Sequence, residues 1–353
     1  MDTTASASPA AAAPRFVHLR LHSEYSVQDG IVRLDDAVKR AAKDRMPAVA
    51  LTDLANLFGM IKFYKAARSA GVKPVVGVDV WISNEADRDK PYRMLLLAAD
   101  RAGYGRLCDL LTRAYLQNKH RGRAELKREW LLEPGAAGGL IALSGALGGD
   151  VGQALVSGNH ALAGRLAREW AGAFPDAYYL ELQRAGHPQS EAQVQAACTL
   201  ASELDLPVVA THPVQFMDAA DYKAHEVRVC IAQGYVLADR RRPREYTDQQ
   251  YFKSQAEMAE LFADIPEALE NSVEIAQRCN IVMQLGKNFL PAFPTPPGMS
   301  LDEFLIAQAR EGLETRLAEL YPDPEVRAAR RPEYEARLKF ECDTIAAGEN
   351  NGE

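Results

Sequence analysis

Phe16-Val-His-Leu-Arg-Leu-His-Ser-Glu-Tyr-Ser-Val-Gln-Asp-Gly30 reads as a short apolar strand running into a polar turn that closes on Asp29-Gly30. Residues two apart in a strand face the same side. The spacing therefore predicts His18, Arg20 and His22 on one face, with Val17, Leu19 and Leu21 on the other. Three nitrogen-bearing side chains at one strand end suggest part of a site. The fold then turns on what else converges there.

Downstream, strand and helix patterns alternate. Strands are expected over Ala48 to Asp53, Lys73 to Ile82, Arg93 to Ala99, Gly139 to Gly145, Ala177 to Gln183 and Leu206 to His212. Several are continuous apolar runs, the pattern of strands covered on both faces. Helices are expected over Leu34 to Arg45, Asn56 to Ala70, Gly103 to Leu116, Gly149 to Val156, Ala161 to Ala173, Gln189 to Leu204 and about Ala219 to Ala232. In the first of these, Leu34, Ala37, Val38 and Ala41 share one face, with Asp35 and Asp36 in the first turn. With the opening strand this makes about seven strands, and such alternation implies parallel pairing with right-handed crossovers. An α/β fold, a TIM-like (β/α) barrel closed or nearly so, fits best. A doubly wound open sheet is second, without a G-x-G-x-x-G turn to support it. In barrels the chemistry sits at the C-terminal strand ends, where His22, Asp53, Asp79, Ser144 and His212 fall in this reading.

The 353 residues carry a formal charge of -7, which argues against a basic nucleic-acid binder overall. Five scattered cysteines, with no C-x-x-C pair, argue against a zinc ribbon or a disulfide framework and suit a reducing cytoplasm. Residues 1–15 read as a disordered leader without the features of a signal peptide, and no run is long enough to span a bilayer. Asp239-Arg-Arg-Arg-Pro-Arg-Glu245 reads either as a solvated loop or as a docking or phosphate-contact loop. Glu257 to Phe262 and Pro266 to Cys279 are expected helices. Leu290-Pro-Ala-Phe-Pro-Thr-Pro-Pro-Gly298 reads as a stiff linker and a boundary. Helices are expected again over Ser300 to Leu320 and Arg331 to Ala347.

Clustered His and Asp at strand ends suit a metal-dependent hydrolase. Each residue also has a plainer reading. Asp29 can bond its own turn, and Asp53 can cap the next helix. Asp79, inside an apolar strand, needs a buried partner, and Arg20 is the obvious one. Cys198, Cys230 and Cys279 read as core residues, and His120, His160, His187 and His225 as surface or capping groups. Arg20 weighs most: a guanidinium stays protonated, offers no lone pair and repels a cation. On chemistry alone the cluster reads as a salt-bridged remnant of a metal centre.

The ordered landmarks are His18 to Gly30, Ala50-Leu-Thr-Asp-Leu-Ala-Asn-Leu-Phe-Gly59, Lys73-Pro-Val-Val-Gly-Val-Asp79, Leu140-Ile-Ala-Leu-Ser-Gly145, Tyr178-Tyr-Leu-Glu-Leu-Gln183 and Leu206-Pro-Val-Val-Ala-Thr211. Lys253-Ser with Glu257-Met258, and Ile265-Pro-Glu-Ala-Leu269, follow. Together they resemble the amino-terminal polymerase and histidinol phosphatase (PHP) domain of the C-family replicative DNA polymerases, the bacterial polymerase III alpha subunits. The resemblance covers about Phe16 to Gly348. It implies a distorted seven-stranded TIM-like barrel over residues 16–285. Residues 286–348 become a linker and the truncated start of a helical palm, and 349–353 a tail outside the family pattern.

In active members a His-x-His pair opens a trinuclear metal site. By this resemblance His18 matches the first histidine, Arg20 replaces the second, and His22 and Asp29 match further motif positions. Thr52-Asp53-Leu54 lacks a ligand histidine, Asp79 stands for a glutamate, Ala146 for a cysteine, and Pro213 and Gln215 for two further ligands. The vestigial set is thus His18, Arg20, His22, Asp29, Asp53 and Asp79, with no metal expected in this chain and residual zinc or manganese the minor alternative. The resemblance implies a non-catalytic barrel that docks the proofreading exonuclease (epsilon) subunit within the cytoplasmic polymerase III holoenzyme. The magnesium-binding polymerase carboxylates, and the contacts to DNA, would lie in later domains. The competing reading is a metal-dependent phosphoesterase or 3′–5′ exonuclease using the residual ligands.

Overall fold

The computed structural model describes residues 15–288 and 292–349. The chain divides into two compact units, Met1–Met283 and Gln284–Glu353. Residues 1–14 of the expected leader and the expected tail beyond residue 349 lie outside the described residues, as does part of the proline-rich linker.

In the first unit the opening segment, residues 16–23, precedes α1 (Leu34–Lys43), β1 (Ala48–Leu51), α2 (Met60–Ser69), β2 (Lys73–Ile82), β3 (Tyr92–Ala98), α3 (Arg101–Gln117), β4 (Lys119–His120), β5 (Arg123–Leu126), α4 (Arg128–Leu132) and β6 (Leu140–Leu143). Then come α5 (Asp150–Val156), α6 (His160–Ala173), β7 (Tyr178–Gln183), α7 (Ser190–Leu204), β8 (Val208–Thr211), α8 (Tyr222–Gln233), α9 (Gln255–Leu261) and α10 (Pro266–Arg278). The short β4, β5 and α4 have no counterpart in the sequence reading.

The strands form one eight-stranded sheet in the order β4-β5-β2-β3-β6-β7-β8, with β1 pairing the first half of β2 on the edge that β5 takes at its end. The opening segment closes it into a barrel. On one side Ala50 N donates to His18 O (2.8 Å) and Thr52 N to Leu21 O (3.0 Å). On the other, Leu21 bridges Val214 in parallel and His22 N donates to Val214 O at 2.9 Å. Seven strands, counting that segment, ring the core, and β4–β5 branches off the end of β2 through the Trp81–Glu125 and Ile82–Leu126 pairs.

Two features depart from an all-parallel barrel. First, β3 runs antiparallel to both β2 and β6. Residues 83–91 are too few for a helical crossover, which needs a dozen or more, so the chain turns back directly. Second, the opening segment carries a bulge. An advance of two residues from Ala50 in β1 to Thr52 just after it matches an advance of three in the opening segment, from His18 to Leu21, so one extra residue breaks the in/out alternation.

The interior is filled by Val17, Leu19, Ala48, Ala50, Val75, Leu95, Leu97, Ile141, Leu143, Tyr179 and Val209. Helix α10 contributes Ile275 and Ala276 to the same cluster, and Cys279 just after it joins them. It is tied to the barrel floor where Lys73 Nζ donates to Ala276 O (2.8 Å) and Asn280 N donates to Ala99 O (2.6 Å). The outward residues, among them Phe16, Leu21, Val49, Leu51, Val76, Val78 and Leu180, pack against the helices in a second, larger cluster. Gly77 is required where it is: a Cβ there would come within 2.6 Å of Leu96 O.

The second unit contains α11 (Leu301–Leu320) and α12 (Pro324–Glu349). Ser300 and Glu303 form a capping box at the start of α11. Helix α12 begins seven residues before the expected Arg331. Pro324 occupies its first turn, where proline is tolerated, and Asp323 Oδ1 accepts from Glu325 N at 2.9 Å. Pro332 therefore lies inside the helix rather than at its start. Arg331 pairs with Glu314, and the hydroxyls of Tyr321 and Tyr334 meet at 3.1 Å. Among the described residues, no helix is long and apolar enough to cross a membrane.

Candidate functional site

Above the apolar filling, at the C-terminal strand ends, the barrel interior turns charged. Arg20 lies just past the bulge. Its Nε and Nη2 donate to Glu181 Oε1 and Oε2 at 2.8 and 2.9 Å, a bidentate fork, and its Nη1 donates to Asp79. Asp79, late in β2, also accepts from Arg93 Nε at 3.0 Å and Nη2 at 2.5 Å. His22 completes the group, with Nε2 3.2 Å from Asp79 and Nδ1 2.9 Å from Asp29. Asp29 accepts further bonds from the Ser26 hydroxyl (2.6 Å) and the Tyr246 hydroxyl (3.3 Å). Glu181 accepts from Gly145 N, the Thr211 hydroxyl and Gln183 Nε2 at 3.0, 2.5 and 2.9 Å.

The electrostatics follow from burial working against close opposite charges. Burial alone would lower the His22 pKa, but Asp29 and Asp79 outweigh it and raise it to about 9. Both ring nitrogens of the resulting imidazolium donate, one to each carboxylate. Burial would raise Asp29, yet His22 and Arg93 hold it down at about 2. Asp79 is also pushed up by burial and held far below the usual carboxylate range by Arg20 and Arg93. Arg20 and Arg93, disfavoured by burial, are held charged by Asp79, with Glu181 adding to Arg20. Three cations thus face three carboxylates. The Arg93 guanidinium also stacks on Trp81, 4.3 Å from its centroid, and forms the partly exposed edge of the cluster.

Asp53 sits beside this network. Its Oδ1 accepts from Ser23 N at 2.6 Å and its Oδ2 from the Ser23 hydroxyl at 2.9 Å. Burial raises its pKa to about 6 against those bonds. It does not cap α2, whose N-cap is Gly59. The Asp29 turn is fixed by Gly30, where a Cβ would lie 2.1 Å from Ser23 O.

His18 is not part of the cluster. The bulge sends Val17 and Leu19 inward and leaves His18 outside the barrel wall. There it packs on Phe16 and Phe252, with ring centroids 4.9 and 4.3 Å away, and its Nε2 donates to Lys253 O at 2.8 Å. Burial lowers its pKa to about 4. His212 lies in the same outer layer, 6.2 Å from His18 between ring centroids, with Nε2 donating to Gln249 O at 2.8 Å. Burial, with His18 and Lys253 nearby, lowers its pKa to about 3. The expectation that His18, Arg20 and His22 share one face is therefore corrected: only Arg20 and His22 meet. His225, expected as a surface or capping group, is buried, and its Nε2 donates to Asp29 O at 2.7 Å.

The other substituted positions take structural roles. Leu54 bridges Asp79 through the backbone and its N donates to Ser26 Oγ at 3.0 Å. Gln215 places its amide 3.2 Å from His22 Nδ1, and Pro213 O accepts from Gln250 Nε2 at 3.3 Å. Ser144 Oγ accepts from Glu181 N at 2.9 Å. Arg93 and Glu181 are the site residues missing from the sequence reading. A carboxylate inside the apolar run Tyr178 to Gln183 was a signal for Glu181, of the same kind as for Asp79.

This donor set does not fit a metal ion. A guanidinium sits between Asp79 and Glu181, and both His22 nitrogens are engaged by carboxylates. Among the described residues, no group of three or more His, Cys, Asp and Glu is arranged to hold one.

A charged cluster at the strand ends of a barrel with one reversed strand is the architecture here, and residues 18–185 match the PHP domain family. Over 94% of its length the chain is similar to the DNA polymerase III subunit alpha of several bacteria. It is 52% identical over 334 residues to that of Neisseria meningitidis, 49% over 331 to that of Pseudomonas aeruginosa and 48% over 332 to that of Escherichia coli K12. The chain spans 28 to 29% of the length of these relatives. Two solved structures are distant likenesses. One, described as a metal-dependent phosphoesterase from Bifidobacterium adolescentis, has a TM-score of 0.36 and 12% identity, over 56% of this chain and 86% of that one. The other, an amidohydrolase from Chromobacterium violaceum, has a TM-score of 0.38 and 16% identity, over 57% and 87%.

Proposed function

We propose that this chain is the amino-terminal part of the alpha subunit of a bacterial replicative DNA polymerase III, at work in the cytoplasm. Its barrel serves there as a non-catalytic scaffold and docking surface for the proofreading exonuclease subunit. Template-directed synthesis, its magnesium ions and the contacts to DNA belong to the later domains of such a subunit, and α11 and α12 begin the palm.

The observation that carries the scaffold reading is Arg20 seated between Asp79 and Glu181. A hydrolytic metal site needs lone pairs and an open position for water. A fixed guanidinium supplies neither and repels the ion. The residual His22, Asp29, Asp53 and Asp79 are committed to one another or to Ser23.

The test is elemental analysis of the purified chain after dialysis against zinc and manganese, paired with gel filtration against the exonuclease subunit. Metal-free protein that co-elutes with the exonuclease supports the scaffold. Stoichiometric metal, with phosphodiester hydrolysis lost in His22→Ala, would overturn it in favour of a metal-dependent phosphoesterase or exonuclease.

A further inference from the structure

An exposed apolar strip of the first unit runs from the outer face of α8 into the loop after it. Val227 and Ile231 lie four apart, one above the other on the helix. Tyr235, Val236 and Leu237 follow directly. All five are exposed, Ile231 by 70% and Val236 by 69%. Every residue from 231 to 238 is exposed, including the four consecutive apolar residues Tyr235, Val236, Leu237 and Ala238. A lone exposed apolar side chain needs no explanation, but a run of this kind on a folded surface marks a contact. The loop is not loosely built: Tyr235 N donates to Cys230 O (2.9 Å), Asp239 N to Val236 O (3.0 Å), and Arg242 Nε to Leu237 O (3.2 Å).

The strip is rimmed with positive charge. Between residues 223 and 248 there are six cations (Lys223, Arg228, Arg240, Arg241, Arg242, Arg244) and four anions (Glu226, Asp239, Glu245, Asp248), a net +2 in a chain of -7. Two ion pairs form locally, Glu226 with Arg242 and Asp239 with Arg241, which leaves Lys223, Arg228, Arg240 and Arg244 against Glu245 and Asp248. A second copy of this chain would bring the same arginines against themselves. The complementary occupant is apolar at its centre and acidic at its edge.

We propose that this strip seats an acidic-edged apolar stretch of the polypeptide that accompanies the matched region in the full-length relatives. The chain spans only 29% of the Neisseria meningitidis subunit, which therefore joins more than twice as much further protein to this barrel. Tethering gives that protein a high effective concentration at the strip, without requiring high intrinsic affinity. The inference rests on reading the chain as part of a polymerase III alpha subunit.

The test is hydrogen exchange on this chain and on a joined protein in which it replaces the matched region of the Neisseria meningitidis subunit. In the chain alone the amides of Val236, Leu237 and Ala238, outside any helix or strand, exchange fast. In the joined protein they slow by on the order of 100-fold, and Val236→Asp in the joined protein restores fast exchange. Equal exchange in both proteins overturns the proposal. So does protection that grows with the concentration of the chain alone, or that appears only when the exonuclease subunit is added. Template-directed nucleotide incorporation by the joined protein reports on the underlying reading. A joined protein that polymerises but leaves these amides unprotected overturns this inference alone, whereas one that does neither overturns both.

Discussion

Arg20 and Glu181, 161 positions apart, are joined by two near-parallel hydrogen bonds of 2.8 and 2.9 Å. The third arm of the same guanidinium reaches Asp79. One side chain thus pins the opening segment to β7 and β2, across the end of the barrel where hydrophobic filling has run out. The fork is possible because the bulge at residues 18–21 turns Arg20 inward directly after Leu19.

Replacing Arg20 by Met should therefore leave two buried carboxylates with one fewer cation between them. Breaking a buried pair by removing one partner costs about 3–5 kcal/mol, and urea unfolding at pH 7 should show a loss of that order. Arg20→Lys keeps the charge but not the fork and should fall between the two. If Arg20→Met lies within experimental error of the parent, the network is not holding the barrel together.

His22 makes alkaline pH destabilising. Its folded-state pKa, about 9, exceeds the ordinary 6.5 because Asp29 and Asp79 outweigh burial. The folded protein then binds the proton more tightly than the unfolded chain. This contribution is fully present below pH 6.5 and is lost as pH rises through 9, at most ~3 kcal/mol. Unfolding free energy measured from pH 6.5 to 9.5 should decline in the parent and flatten in His22→Gln. A parent profile as flat as the variant's would rule this out.

Asp53 acts the same way at lower pH. Burial raises its pKa from 3.8 to about 6, so the folded state favours the protonated carboxyl. Its contribution is greatest below pH 3.8 and declines as pH rises through 6. Asp53→Asn cannot ionise, so its stability relative to the parent should improve from pH 4 to pH 7. A difference between the two that does not change with pH would refute the assignment.

Much of the barrel was legible because each buried strand is a continuous apolar run and most helices carry one apolar face. The reading failed where topology, not local pattern, decides. In an all-parallel barrel Arg93, at the start of its strand, would lie at the floor. The reversal of β3 brings it to the ceiling beside Asp79, and the shortness of residues 83–91 was the available sign. Strict alternation grouped His18 with Arg20, because one extra residue in a ladder leaves no mark in a hydrophobic pattern. Asp79 and its pairing with Arg20 were readable for an energetic reason: a carboxylate amid Val78 and Val80 must find a cation.

The bulge has its own test. If His18 lies outside the wall, its loss should not reach the charged cluster. His18→Leu removes one hydrogen bond to Lys253 O, worth about 1 kcal/mol, and puts an apolar side chain against Phe16 and Phe252, which already flank it. Urea unfolding should show a loss no greater than about 1–2 kcal/mol. More telling, the His22 imidazole, followed by NMR, should titrate near pH 9 in both parent and variant. A regular strand would instead have placed His18 on the face of Arg20 and His22. A marked shift of the His22 titration in His18→Leu would then put the histidines back in one site and remove the bulge from the account.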